Sequence, residues 1–354
     1  MISSKSQNTL KTILKTEAFN LGFSHIGFTE PVTPDNYAVF LNWIDLGYAA
    51  DMNYLKREDT ISKRAEPLKI LPSCKSIIIL ALPYNPPSKD NSRDKFKISS
   101  YAQSTDYHLV IPSLLEKLIT AIKNHTDQSL QYRIYTDTGP IMEKAFAQMA
   151  GIGWIGKHSC LISPGFGSYF FLSTILINIE FEPDPPFPKE LCGSCTRCID
   201  NCPTGCILPN RTINASKCIS YLTIENHSNI SEDLRKKVGK WIFGCDVCQQ
   251  VCPWNNRFAS NPKHDYFNLS AYHHHPFNLL EELKLTDLEF KQKFSQSPIL
   301  RANNFGYKRN LLVAASNSFS DEVQAAVDYL LANETDPILL DLAQWALRSH
   351  SSSD

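Results

Sequence analysis

The sequence predicts an α+β fold, α/β in type, in three parts, and three observations carry that expectation. Residues 1–186 alternate strand-period and helix-period apolar patterns, the mark of a mixed domain. Residues 187–262 hold nine of the 11 cysteines, in two dense runs. Residues 263–354 show helix-period patterns alone.

In the first part a helix is expected over 9–21, with Leu10, Ile13, Leu14 and Leu21 on or near one face and Gly22 as its stop. Residues 23–28 alternate like a strand, and 35–46 follow Pro34 with a helical pattern. A charged stretch then ends at Arg64, which reads either as solvated surface or as a ligand clamp. The continuous apolar run 77–82 marks a buried strand. Asp106-Tyr107-His108 leads into a helix over 109–124, with Asp106 as its N-cap. A strand over 131–136 runs into Asp137-Thr138-Gly139-Pro140 before a helix at 141–149. An aspartate at a strand end is equally a helix cap and a common place for chemistry in α/β folds. Gly151, Gly153 and Gly156 allow backbone to approach a ligand closely, though their spacing is not the dinucleotide fingerprint. Two strands, 160–163 and 168–179, are joined through Pro164-Gly165-Phe166-Gly167, and the proline-rich stretch 182–188 closes this part.

The middle part opens Cys192-x2-Cys195-x2-Cys198-x3-Cys202-Pro203 and closes Cys245-x2-Cys248-x3-Cys252-Pro253, with Cys218 between. The opening run has the bacterial ferredoxin spacing, in which three cysteines ligate one 4Fe–4S cube and the fourth ligates another. The closing run lacks one cysteine, which Cys218 can supply. The wiring expected is Cys192, Cys195, Cys198 and Cys252 on one cube, and Cys202, Cys218, Cys245 and Cys248 on the other. Soft thiolates also select zinc or copper(I), but three cysteines within seven residues suit a cube with several corners better than a tetrahedral zinc site. Cys206 is left over and reads as a small buried apolar residue. Between the runs, residues 221–242 carry Arg235, Lys236, Lys237 and Lys240, a positive face at helical spacing that is either solvated or in contact with phosphate.

In the third part, His273, His274 and His275 read as a surface run. Lys308-Arg309-Asn310 opens an Ala-rich helix, and helical patterns follow over 321–332 and 337–348, a short HEAT-like fragment. Of the 354 residues 43% are hydrophobic, enough for substantial cores. No early run reaches the roughly 18 apolar residues of a membrane span. With no secretory signal and cluster-type cysteines, the expected setting is the reducing cytoplasm, away from membranes. The formal net charge of −1 excludes a polycation, so any nucleic acid must be met by a local basic patch.

Several ordered motifs together carry a resemblance over nearly the whole chain. They are Tyr135-x-Asp137-Thr138-Gly139-Pro140, Ala150-Gly151-Ile152-Gly153-Trp154-x-Gly156-Lys157-His158 and Phe166-Gly167-Ser168. The cysteine runs with Cys218-Ile219-Ser220-Tyr221-Leu222 and Gly244-Cys245-Asp246 follow, and then Arg309-Asn310. These resemble the epoxyqueuosine reductases, enzymes of queuosine biosynthesis in tRNA that use cobalamin and iron–sulfur clusters. The resemblance implies a nitroreductase-like first domain (1–186) holding base-off cobalamin, a ferredoxin-like two-cluster domain (187–262) and a HEAT-like tail (263–354). It also implies a monomer that draws electrons from a low-potential donor and reduces the epoxide of epoxyqueuosine, at the tRNA wobble position, to the alkene of queuosine. Asp137 falls on the proton donor, and a buried site is expected to keep it protonated. Arg64, Asp137, His158, Leu161, Leu172, Ser220 and Asp246 fall at or near corrin contacts. Arg235, Lys236, Lys237, Lys308 and Arg309 are the candidates for tRNA phosphate. Two other readings compete. A corrinoid reductive dehalogenase shares the order of corrin and clusters but normally carries an export signal and a tyrosine acid. A ferredoxin-type carrier needs no domain of this size ahead of its clusters.

Overall fold

The computed structural model describes residues 4–86, 96–188, 190–267, 277–318 and 320–351, so the run of three histidines lies outside the described residues. A four-stranded sheet lies at the centre of the first part, in the order His25–Thr29, Ser76–Pro83, Phe170–Ile177, Tyr132–Tyr135. Every pairing in it is antiparallel. No two neighbouring strands of this sheet are parallel, so the arrangement is α+β and has no switch point of the α/β kind.

The run 77–82 is apolar without alternation because both faces of its strand are covered. Ile78, Leu80 and Leu82 enter a core with Leu10, Leu14 and Ala18 of helix Ser4–Asn20, and with Ile111, Leu115 and Leu118 of helix Tyr107–Lys123. Ile77, Ile79 and Ala81 enter another with Phe146 and Ala147 of helix Glu143–Met149. At about 1.5–3 kcal/mol for each large side chain fully buried, this strand anchors both layers.

The glycines of 151–156 serve this packing rather than a ligand. A Cβ on Gly153 would meet the Ile162 carbonyl oxygen at 2.0 Å, and one on Gly151 the Pro185 oxygen at 2.6 Å. At Gly151 and Gly153 backbone approaches backbone, whereas Gly156 faces the side chains of Ile162 and His158.

Where the sequence suggests one positive helical face over 221–242, the chain forms helix Ile219–Ile224, helix Glu232–Val238 and strand Trp241–Phe243. Gly239, at φ +59°, turns the chain out of the second helix. The strand pairs in parallel with Lys97–Ile98, ahead of the Asp106 cap. Just beyond it, Asp246 accepts hydrogen bonds from Ser99 Oγ, from the Ser100 amide at 2.7 Å and from Ser100 Oγ at 2.7 Å. One apolar core then joins these elements to the C-terminal helices Asn303–Ser316, Asp321–Asn333 and Pro337–Ser351.

Two of the expected phosphate ligands are rivets of that core. Arg309 is fully buried and donates to the carbonyls of Leu222, Asn226 and Ser228, each at 2.6 Å. Burial lowers its pKa to about 10, so it stays charged at neutral pH. Arg235, also buried, donates to the Ile230 carbonyl at 2.9 Å and pairs with Asp341 at 2.6 Å. Neither guanidinium is free to meet a phosphate.

Candidate active site and cluster sites

Asp137 follows strand Tyr132–Tyr135 in a tight turn. Its φ is +60°, the left-handed region that non-glycine residues seldom occupy. The Thr138 amide donates to the Thr136 carbonyl at 2.6 Å, and the Asp137 amide to Glu143 Oε1 at 3.1 Å. A Cβ on Gly139 would lie 2.4 Å from the Tyr135 ring, so the return of the chain requires glycine. The turn projects the Asp137 carboxyl outward, with 58% of the side chain exposed. The expected burial is therefore absent. The turn places this carboxyl on a lip where two cavities of about 760 and 900 Å³ meet, both walled by Tyr135, Asp137, Thr138 and Arg301. Both sit in the upper part of the roughly 300–1,000 Å³ range of small-molecule sites.

The groups around that carboxyl come from elsewhere in the chain. Tyr107 Oη donates to Asp137 Oδ2 at 3.2 Å. Burial, and then the Asp137 charge, hold the phenol well above its ordinary pKa, so it donates rather than ionises. His108 Nε2 lies 4.0 Å from the same oxygen and has no hydrogen-bond partner among the described residues. Asp106 caps the helix, accepting from the His108 amide at 2.9 Å, and the same Oδ1 holds His108 Nδ1 at 2.8 Å. One carboxylate thus starts the helix and orients the ring. Burial, and then Asp137, push Glu143 up to about 8, so it is protonated at neutral pH. From the far wall, Arg301 pairs with Glu225 at 2.5 Å. The sequence holds a local signal for the 106–108 triplet only; Glu143, Glu225 and Arg301 are brought here by the fold.

Arg64 lines the larger cavity with Asp137. Its guanidinium lies 5.5 Å from the centre of the Phe40 ring, and Nη1 is buried without a hydrogen-bond partner among the described residues. Such an orphaned donor, beside a cavity of this size, fits a large polar cofactor.

The other expected corrin contacts are not gathered there. Leu161 is buried and Leu172 half-buried against the same apolar core beneath the sheet. Ser220 sits half-buried on helix Ile219–Ile224, outside both walls. Asp246 is taken up by Ser99 and Ser100. His158 is only 2% exposed and faces the cysteines; burial, and then Lys144, lower its pKa to about 4, and Nδ1 accepts the Cys160 amide at 3.2 Å.

Cys192, Cys195, Cys198 and Cys252 line a single cavity of about 210 Å³, walled also by Ile162, Trp254 and His158. Lys157 Nζ braces its loop by donating to the Gly193 carbonyl at 2.7 Å and the Cys195 carbonyl at 2.9 Å. Cys202, Cys218 and Cys248 converge on a neighbouring apolar nest with Ile207, Ile213 and Val251, and Cys245 lies within electrostatic reach of Cys218 and Cys248. Two groups of four thiols in apolar walls fit two cubes. Cys206 is buried, as expected of it, but inside the second nest: its Sγ lies 3.4 Å from Cys202 Sγ, and Cys218 belongs to the same apolar cluster. Of the candidate phosphate ligands, Lys236 and Lys237 are exposed and Lys308 half-buried.

Two family models match the chain: "Epoxyqueuosine reductase QueG, DUF1730" over residues 64–138, and a 4Fe-4S double cluster binding domain over residues 191–255. An epoxyqueuosine reductase of Cyclobacterium marinum is 38% identical over 304 residues, covering 84% of this chain and 94% of the relative. One from Aliivibrio fischeri is 35% identical over 346 residues, covering 96% and 91%. Among solved structures, an epoxyqueuosine reductase with an epoxyqueuosine-modified tRNA-Tyr stem loop superimposes with a TM-score of 0.88 at 30% identity, covering 97% of this chain and 90% of the other. An epoxyqueuosine reductase from Bacillus subtilis, with its catalytic aspartate loop swung out of the active site, gives 0.85 at 30% identity, covering 97% and 91%. No described helix is long and apolar enough to cross a membrane.

Proposed function

This chain belongs to the epoxyqueuosine reductase family, and from that premise we propose how its residues divide the reaction. The overall change adds two electrons and two protons to the epoxide of epoxyqueuosine in tRNA, leaving an alkene and water. The observation that carries the assignment is the Asp137 carboxyl on the lip between two cavities. One cavity takes the cofactor and the other the inserted base, so the reacting epoxide comes to lie against Asp137. Cobalamin would be held in the larger cavity with Arg64 as a polar contact, and would supply the reducing chemistry. The cubes, on Cys192, Cys195, Cys198 and Cys252 and on Cys202, Cys218, Cys245 and Cys248, supply the electron path from a low-potential donor in the cytoplasm.

Asp137 gives its proton to the oxygen as the C–O bond opens. The reaction needs a second proton to release water, so this carboxyl must be reloaded or assisted. His108 is the group positioned to do it. Its Nδ1 is fixed by Asp106, which leaves Nε2 facing Asp137 Oδ2, 4.0 Å away. Tyr107 steadies that oxygen, and protonated Glu143 holds the turn without setting a second negative charge beside Asp137. Lys236, Lys237 and Lys308 remain the candidates for tRNA phosphate, since phosphate contacts position the substrate. Nucleoside mass spectrometry of tRNA from cells lacking this protein tests the assignment. Epoxyqueuosine should accumulate and queuosine disappear; unchanged queuosine would overturn it.

A further inference from the structure

We propose that Cys206 is a reserve ligand of the second cluster, able to take the iron that Cys202 holds; this rests on the wiring given above. Cys202 and Cys206 flank Pro203-Thr204-Gly205. The Gly205 amide donates to the Cys202 carbonyl at 3.1 Å, and Gly205 has φ +62°, so the chain doubles back and the two thiols converge. Their sulfurs are 3.4 Å apart. The backbone of Cys206 is fixed, because its carbonyl accepts the Asn214 amide at 2.9 Å and Ile207 bridges to Ile213. The thiol can therefore reach the neighbouring site by changing its χ1 well, with no movement of the main chain. Ile207, Ile213 and Val251 wall the nest, so water is a poor competitor for the open iron.

A buried apolar role accounts for the burial of Cys206 but not for its chemistry. An alanine would fill a small gap without presenting a soft donor beside a ligand sulfur, that of Cys202. The exchange is redox-neutral. One Fe–S bond breaks at Cys202, one forms at Cys206, and the proton of the Cys206 thiol passes to the departing Cys202 sulfur. The first nest differs, since Cys192, Cys195, Cys198 and Cys252 are the only thiols on its wall among the described residues.

That difference supplies an internal control. Iron and acid-labile sulfide are counted on anaerobically purified protein, with the electron paramagnetic resonance of the reduced clusters as a second readout. Wild type should carry about eight iron atoms per chain, as two 4Fe–4S clusters require. Cys202→Ala should keep both clusters, Cys202→Ala with Cys206→Ala should lose one, and Cys198→Ala should lose one although Cys206 is intact. Loss of a cluster in folded Cys202→Ala overturns the proposal while leaving the wiring standing. Retention of both clusters in the double variant overturns the wiring and the proposal with it. A second measurement needs no ligand variant. Under an iron chelator, Cys206→Ala should lose its second cluster several-fold faster than wild type, with the first cluster unaffected; equal rates overturn the proposal.

Discussion

The cysteine nests and the Asp137 lip are built in opposite ways. The first nest takes three of its four thiols from one seven-residue loop and closes around about 210 Å³ between Ile162 and Trp254. The lip draws on Arg64, the 106–108 triplet, the turn at 135–143, Glu225 and Arg301, and opens into cavities several times larger. A metal cube fixes its ligands by coordination, so loop spacing alone must meet its geometry. A proton-transfer site needs groups a few ångströms apart in space, and sequence distance does not constrain them. If that contrast is right, the lip should be sensitive to single polar changes that leave the nests untouched.

The largest expected effect is at Asp137. Asp137→Ala should retain its iron and its fold and lose roughly 10²–10⁴-fold in turnover, the usual scale of general-acid catalysis, measured as queuosine formed per enzyme. Near-normal turnover would remove Asp137 from the acid role. Next comes a change outside both regions. Arg309→Leu strands three buried carbonyls and should cost about 3 kcal/mol or more, read from the urea midpoint. Lys236→Ala with Lys237→Ala should move stability by less than about 0.5 kcal/mol while flattening the salt dependence of tRNA binding. An unchanged salt slope would take those lysines out of the interface.

At His108 the expected loss is smaller, roughly 10²-fold, the low end of the general acid–base scale. His108→Asn should lower kcat with little change in KM, and added imidazole should restore part of the rate. Parallel losses in kcat/KM and binding, without rescue, would make His108 merely structural. The smallest effect concerns Glu143. Its folded pKa of about 8 exceeds the ordinary carboxylate value of 4.5, so the folded chain keeps a proton that the unfolded chain releases. The corresponding stability is fully present below about pH 4.5 and is lost as pH rises through 8. Glu143→Gln should flatten that part of the profile of melting temperature against pH; an identical profile would show that Glu143 does not titrate this way.

Much of the fold is legible because its signals are local. Gly22 ends the first helix, Asp106 caps the helix after it in sequence logic, and the 77–82 run is a strand buried on both faces. Pairing direction is not local, and the antiparallel order emerges only from the assembled sheet. The same limit explains Arg235 and Arg309. On a sequence they are basic residues beside other basic residues, yet the carbonyls of Leu222, Asn226 and Ser228 that claim Arg309 lie more than 80 positions away. Glycines mislead for a related reason: a missing Cβ permits close approach, and only the fold says whether a ligand or the Ile162 backbone arrives.

The Asp246 carboxylate joins the cluster-bearing segment to Ser99 and Ser100, next to the parallel pairing of Lys97–Ile98 with Trp241–Phe243. Asp246 sits between Cys245 and Cys248, and Ser100 lies six residues before the cap that orients His108. The loop that holds Cys245 and Cys248 is thus tied by one buried carboxylate to the segment that runs into the Asp106 cap.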